Sequence, residues 1–405
     1  MQEIEGGVTA PLGFKANGVI ANIKGHNTTK KDLAAIVSQV PCTCAATYTQ
    51  NKVKGAPLTV TKKHLKNGQA QAIICNSGNA NTCNANGIEI AEGACDLLAK
   101  ELHMDPSDVV VASTGVIGQP MTLDPFEKHI HELVSGLKED GSDDAANAIM
   151  TTDTHKKEYA VAFKIGDTTC HIGAIAKGSG MIHPNMATML AFVTSDVDIS
   201  REMLEMMVHD VVNDTFNMVS VDGDTSTNDM LVVMCNGLAD NKKIVIKDKH
   251  YQIMKEALYY ICESLSKGIA KDGEGATKLL TCNTHNARTL HDAKTVAKSV
   301  ITSSLFKAAM FGKDANWGRI LCAIGYAPAD IDITKVEVSL SSAQGSIIVC
   351  KNGAGVPFSE GKALDILSED EIVIDIDLHD GDYMATAWGC DLTYDYVKIN
   401  GDYRT

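Results

Sequence analysis

Between Lys177 and Leu190 the chain reads KGSGMIHPNMATML, and within it Thr188 is the residue best placed for covalent chemistry. A threonine hydroxyl is a poor nucleophile until a base takes its proton, and one solution uses the free amine of the same threonine once it begins a chain. That solution requires scission of the Ala187–Thr188 bond. Gly178, Gly180 and Pro184 impose an irregular backbone here, and a small residue before the hydroxyl amino acid suits an N-to-O acyl shift from a strained loop. In that shift the threonine oxygen attacks the preceding carbonyl, and water then releases two chains. The pattern alone also describes a glycine-rich loop entering a buried strand, because Met189 to Val193 is a continuous apolar run.

The elements that must position this segment are both strands and helices. Short apolar stretches ending in polar turns predict strands at Gly18 to Ile23, Ala70 to Cys75 and Asp108 to Ala112. Later runs predict strands at Tyr159 to Ile165, His171 to Ala176, Met189 to Thr194, Met230 to Cys235, Val336 to Leu340 and Ile372 to Leu378. Gly87 to His103 has apolar residues at helical spacing and stops before Asp105-Pro106. Further helices are predicted at Arg201 to Asn217, Tyr251 to Ile269 and Ala293 to Phe311. Strands and helices cluster instead of alternating strictly, so packed sheets with helices outside fit better than an eight-repeat barrel. Lys138 to Asp144 (KEDGSDD) is the most linker-like stretch and reads as an exposed loop.

Composition narrows the function classes. With 405 residues, 44% hydrophobic and 21% charged, the chain can bury a large core. A net charge of −15 opposes non-specific nucleic-acid binding and an anionic membrane surface, which leaves small molecules as partners. No apolar run approaches the roughly 20 residues of a membrane helix, and Met1 to Gly13 lacks the pattern of an export signal, so a cytoplasmic enzyme is expected. Twelve cysteines are scattered from Cys42 to Cys390 without a C-x-x-C pair and read as reduced core residues. Cys42 and Cys44 have no His at zinc-ligand spacing, so neither a metal nor an organic cofactor is implied.

The stretch IGAIAKGSGMIHPNMATMLAFVTSD resembles the signature of the ornithine acetyltransferase family, whose members cut themselves before the threonine of an ATM or ATL triplet. The resemblance spans nearly the whole chain. Its blocks include EGGVTAPLGF at Glu5, CNSGNANTCNANG at Cys75, VASTGVIGQPM at Val111 and AIMTTDT at Ala148. They continue through VSVDGDTSTNDM at Val219, KDGEGATKL at Lys271, LFKAAMFGKDANWGRIL at Leu305 and AWGCDLTYDYVKINGDYRT at Ala387. The resemblance implies a mixed α and β fold with a layered α-β-β-α sandwich, similar to N-terminal nucleophile enzymes. It implies an α chain of residues 1–187 and a β chain of residues 188–405, two of each assembling as a heterotetramer.

By the same resemblance, Thr188 is the nucleophile that takes the acetyl group from N2-acetylornithine and passes it to glutamate, a cyclic route in arginine biosynthesis with ping-pong kinetics. Thr114 and Gly115 supply the oxyanion hole. Substrate contacts fall on Thr151, Lys177, Glu274, Asn400, Thr405 and Thr188 itself. A substrate with an ammonium and a carboxylate needs an acid, a cation and neutral hydrogen-bonding groups, which this set contains. The motifs accommodate acetyl-CoA as a further acetyl donor for glutamate without identifying a site for it.

Other motifs carry less. Asp222 to Asp229 (DGDTSTND) has spaced acids, but Thr227 stands where a calcium loop needs glycine. His183 is close to Thr188 in sequence, yet the Thr188 amine is the better base and His183 reads as a packing residue. Trp317 and Trp388 read as packing residues as well. The alternative enzyme is an N-terminal-threonine amidohydrolase or aminopeptidase in which water takes the acyl group. A non-catalytic amino-acid sensor is the alternative outside enzymes, and retention of Thr188 with Thr114 and Gly115 counts against it.

Overall fold

The computed structural model describes residues 1–25, 29–183 and 189–402. Sixteen strands among them form a nine-stranded and a seven-stranded sheet, so the architecture is mixed α and β, layered, and not a barrel. In the large sheet Gln2–Ile4, Lys157–Ile165, Thr168–Lys177, Leu190–Ser195, Met230–Cys235, Leu33–Tyr48, Gln69–Asn76 and Val109–Ser113 lie side by side, with Phe14–Val19 also paired to Leu33–Tyr48. The second sheet orders Ala354–Gly355, Gly345–Lys351, Glu337–Ser342, Glu371–Asp377, Leu279–Ala287, Tyr383–Cys390 and Val219–Ser220.

The helix Lys249–Lys271 packs against Lys157–Ile165 and Thr168–Lys177 of the large sheet and against Tyr383–Cys390 of the second. It starts where the Asp248 carboxylate accepts the N–H groups of His250 and Tyr251, at 2.9 and 3.1 Å. Tyr251, Met254, Leu258, Ile261, Leu265 and Ile269 form its buried stripe and join both sheets in one core. Each such side chain contributes about 1.5–3 kcal/mol by leaving water. On the second sheet's far side lies the helix Leu290–Thr302, and the first sheet is covered near Phe14–Val19 by Ser142–Ile149.

Most predicted elements are present within a few residues, including the helix Gly87–Leu102, whose buried Ile90, Ala91, Ala94, Cys95, Leu98 and Ala99 share one face. Three differ. The strand expected at Gly18 to Ile23 runs instead over Phe14–Val19, because the buried Asp32 carboxylate captures the N–H groups of Ala21, Asn22 and Ile23 and bends the chain away. The helix expected over Ala293 to Phe311 is two, Leu290–Thr302 and Ser304–Phe311, since Ser303 adopts ψ 110° and its hydroxyl caps Phe306 N at 3.3 Å. Lys138 to Asp144 is not a free loop: Lys138 bridges to Ala16, and Ser142 is buried, its hydroxyl accepting Val8 N at 3.0 Å. No described helix is long and apolar enough to cross a membrane. All twelve cysteines are free thiols, and all but Cys83 and Cys322 are buried.

Candidate active site

Where the strand Val109–Ser113 ends, Thr114 N donates to Asn76 O at 2.9 Å and the chain turns through Gly115. Gly115 has φ +123°, and a Cβ there would stand 2.8 Å from Gly78 C and 2.9 Å from Asn79 N. Both the dihedral and the close backbone approach therefore require glycine. The facing turn is fixed by Asn76, whose side-chain oxygen accepts Gly78 N at 3.2 Å and Asn79 N at 3.1 Å, while its amide donates to Ser113 Oγ at 2.7 Å. Asn228 closes the frame by donating to Ala80 O at 2.6 Å and Ser113 O at 2.9 Å, and its own oxygen accepts from Thr82 Oγ1 at 2.6 Å. Asn76, Thr82 and Asn228 were not singled out from the sequence, although they stand in the quoted CNSGNANTCNANG and VSVDGDTSTNDM blocks.

The glycine-rich segment leaves the end of Thr168–Lys177 under tight constraint. Gly178 N donates to Asp153 Oδ1 at 2.7 Å, Ser179 Oγ donates to Asp272 O at 2.7 Å, and Ser179 O accepts Glu274 N at 3.0 Å. A Cβ on Gly180 would lie 2.3 Å from the Glu274 carboxylate, so glycine here makes room for that acid. Met181 and Ile182 N–H groups donate to Asp222 at 2.6 and 2.8 Å, which spends the first acid of the DGDTSTND run on backbone instead of a metal. His183 meets Ser220 Oγ at 3.1 Å through Nδ1, and burial, aided by the Lys298 charge, pushes its pKa down to about 4 against the pull of Asp222. Ala187 and Thr188 lie outside the described residues, as does Thr405.

A cavity of about 140 Å³ opens where these segments meet. Thr114, Gly115, Thr151, Lys177, Glu274 and Asn400 all line it. Every described member of the sequence-derived site is thus brought to one cleft. Asn400 Nδ2 donates to Glu274 Oε2 at 2.8 Å, so the helix Tyr394–Asp402 is tied to the Gly273–Gly275 turn. Lys177 is buried, with Nζ 3.5 Å from Thr114 Oγ1. Burial lowers its pKa and the Lys157 charge adds to this, while Asp153, Asp229 and Cys75 oppose it. A larger hollow, 660 Å³, lies across the Gly273–Gly275 turn beside Lys271, Lys278 and Lys398, and Thr114 and Gly115 do not line it.

Behind the cleft three buried ionisable groups form a clamp. Asp153 accepts Lys157 Nζ at 2.6 Å and Thr151 N at 2.9 Å, and Lys157 Nζ also pairs with Asp272. Asp272 in turn accepts Thr154 N at 3.1 Å. Burial would raise the Asp153 carboxyl, but the Lys177 and Lys157 charges and the bonds from Lys157 and Gly178 outweigh it and hold it well below the usual carboxylate range. Asp153 thereby links Thr151 on one wall to the start of the glycine-rich segment on another. Single-sequence reading passed over it because Asp153 in MTTDT has no diagnostic spacing.

Comparison with known proteins bears on this geometry. The ArgJ family matches residues 15–405. The chain is 48% identical over 406 residues to the arginine biosynthesis bifunctional protein ArgJ of Caldanaerobacter subterraneus subsp. tengcongensis, covering 100% of both chains. It is 49% identical over 393 residues to ArgJ 1 of Clostridium acetobutylicum, covering 97% of this chain and 96% of that one. Among solved structures, the arginine biosynthesis bifunctional protein ArgJ of Bacillus halodurans superposes with a TM-score of 0.50 at 43% identity, over 52% of this chain and 98% of that chain.

Proposed function

The chain belongs to the ArgJ family, and from that premise and the cleft geometry we propose that it is a self-cleaving acetyltransferase that moves the acetyl group of N2-acetylornithine to glutamate. The observation that carries this reading is the convergence of Thr114, Gly115, Lys177, Glu274 and Asn400 on one cleft beside the segment that leads to Thr188.

Processing comes first: Thr188 Oγ attacks the Ala187 carbonyl, the peptide becomes an ester, and water hydrolyses it to leave a new carboxylate and the free Thr188 amine. The solved Bacillus halodurans chain supports a cut of this kind, since 52% of the present chain accounts for 98% of it, close to the share that residues 188–405 would occupy.

In acyl transfer the Thr188 amine takes the hydroxyl proton as Oγ attacks the acetyl carbonyl of N2-acetylornithine. The tetrahedral oxyanion is met by donors from Thr114 and Gly115, with the Lys177 cation beside Thr114. Collapse breaks the C–N bond, the proton passes to the departing α-amine of ornithine, and acetyl remains as an ester on Thr188. Glutamate's α-amine then attacks that ester, forming the C–N bond while Thr188 Oγ leaves and regains a proton. Glu274, held by Asn400, suits the δ-ammonium of ornithine, and Thr151 with Thr405 completes orientation. Acetyl-CoA, as an acetyl donor, would acylate the same Thr188. Two α and two β chains would then assemble as a heterotetramer.

Denaturing mass analysis of the purified chain tests processing, with fragments of 187 and 218 residues expected. Incubation with N2-acetylornithine, with and without glutamate, tests transfer. Acetate release at the same rate without glutamate would replace this reading with the hydrolase.

A further inference from the structure

The two amino acids of the proposed reaction share one frame but end in opposite charges, an ammonium in ornithine and a carboxylate in glutamate. A ping-pong scheme brings both α-nitrogens to the same Thr188, so one site must serve both ends. Glu274, on the wall of the 140 Å³ cleft, favours the ammonium alone.

A second cavity of about 200 Å³ adjoins that cleft, and Gly115, Thr151 and Thr152 line both. Its remaining wall contains Lys24 and Lys30. Asp32, also on this wall, is buried, and its carboxylate accepts Ala21 N at 2.7 Å, Asn22 N at 3.1 Å and Ile23 N at 2.8 Å. Lys30 Nζ reaches over the shared wall to donate to Thr151 O at 2.7 Å. Burial lowers the pKa of its ammonium, the Lys177 charge adds to this, and Asp153 opposes it. The cleft therefore offers an acid on its Asn400 side and two lysines beyond Thr151.

We propose that Lys30, together with Lys24, forms the subsite for the side-chain carboxylate of the glutamate acceptor, while the δ-ammonium of ornithine is directed to Glu274. Lys30 is thus a specificity determinant for the second half-reaction. The proposal rests on the acetyl-transfer reading above.

The two half-reactions separate the possibilities. The processed enzyme is acetylated with radiolabelled N2-acetylornithine, freed of excess donor, and chased with either glutamate or unlabelled ornithine; the initial label counts active sites. In Lys30→Met and Lys24→Met, kcat/KM for glutamate should fall by roughly tenfold or more relative to that for ornithine, the size of one lost charge-assisted hydrogen bond, with the loss carried by KM. Lys30→Arg should restore most of the ratio. A role confined to holding the Thr151 carbonyl would slow both acceptors alike, and that result, or an unchanged glutamate rate, overturns the proposal. If the wild-type enzyme takes up no label and transfers nothing, the acetyl-transfer reading itself fails, and the acceptor subsite falls with it.

Discussion

Replacing Gly115 with alanine puts a methyl group where the structure has least room and tests the oxyanion role directly. The new Cβ would stand 2.8 Å from Gly78 C and 2.9 Å from Asn79 N, at a residue with φ +123°. Carbon atoms pack at about 3.5–4.0 Å, so one of the two facing turns must yield by roughly 0.7 Å or more. The dihedral adds about 1–3 kcal/mol of strain. Asn76 and Asn228 hold the Gly78–Ala80 side through three hydrogen bonds to its backbone, so part of the displacement falls on the Thr114–Gly115 turn. An oxyanion donor works within about 2.7–3.1 Å of the developing charge, and loss of one such donor costs roughly 10²–10³ in kcat. Steady-state kinetics of Gly115→Ala should therefore show kcat reduced by about that factor with KM for N2-acetylornithine changed little, alongside a lowered Tm. A variant whose Tm falls while kcat stays within about threefold of wild type would refute the reasoning, because it would show the turn moving without consequence for the chemistry.

Gly180→Ala places its Cβ 2.3 Å from the Glu274 carboxylate, which can swing aside; KM for N2-acetylornithine should rise roughly tenfold with Tm nearly unchanged, and a change confined to kcat would count against Glu274 as the ammonium partner. Asp153→Asn removes the charge that raises the Lys177 pKa while Lys157 continues to lower it and Asp229, Cys75 and Lys30 remain in place, so the alkaline limb of the kcat/KM profile should move to lower pH; an unmoved limb would disconnect Lys177 from the rate. His183 has a folded pKa of about 4, below its unfolded value of roughly 6.5, so the unfolded state binds the extra proton and folding stability falls as pH drops through that interval. Thermal melts of His183→Gln should lose that slope, and a slope equal to wild type would place its origin elsewhere. Finally, the two fragments produced by processing should elute together in gel filtration without denaturant, and separate peaks would contradict the sheet order.

Local rules made the long elements legible. Gly87–Leu102 and Lys249–Lys271 carry apolar stripes at helical period and clear stops, and Met230–Cys235 is an unbroken apolar run with both neighbours paired. The break at Ser303 was not, because a short polar run such as Thr302-Ser303-Ser304 also occurs on the outer face of a continuous helix and serine is no strong helix breaker. Of the site, Thr114, Gly115, Thr151, Lys177, Glu274 and Asn400 came from resemblance and meet in one cleft, while Thr188 and Thr405 fall outside the described residues. The residues that hold the cleft in shape were invisible for a physical reason. Asn228 acts on Ala80 from 148 positions away and Asp272 on Thr154 from 118, and no sequence periodicity encodes such contacts.

The position of the proposed cut within the sheet explains why processing need not cost the fold its integrity. Leu190–Ser195 pairs antiparallel with Thr168–Lys177 on one side and parallel with Met230–Cys235 on the other, and Met230–Cys235 pairs in turn with Leu33–Tyr48. A cut before Thr188 would give both of these inner strands to the second chain while their outer neighbours stay with the first. Pulling the chains apart would then expose four strand edges and divide the core that Ile172 and Val161 share with Val193, Leu231 and Ile261. The proposed chemistry would be divided in the same way, with Thr114, Gly115, Thr151 and Lys177 on the first chain and Thr188, Glu274 and Asn400 on the second. The first described residue after the proposed cut, Met189, accepts Met230 N at 2.9 Å through its carbonyl, and the strand that follows it is hydrogen-bonded on both sides.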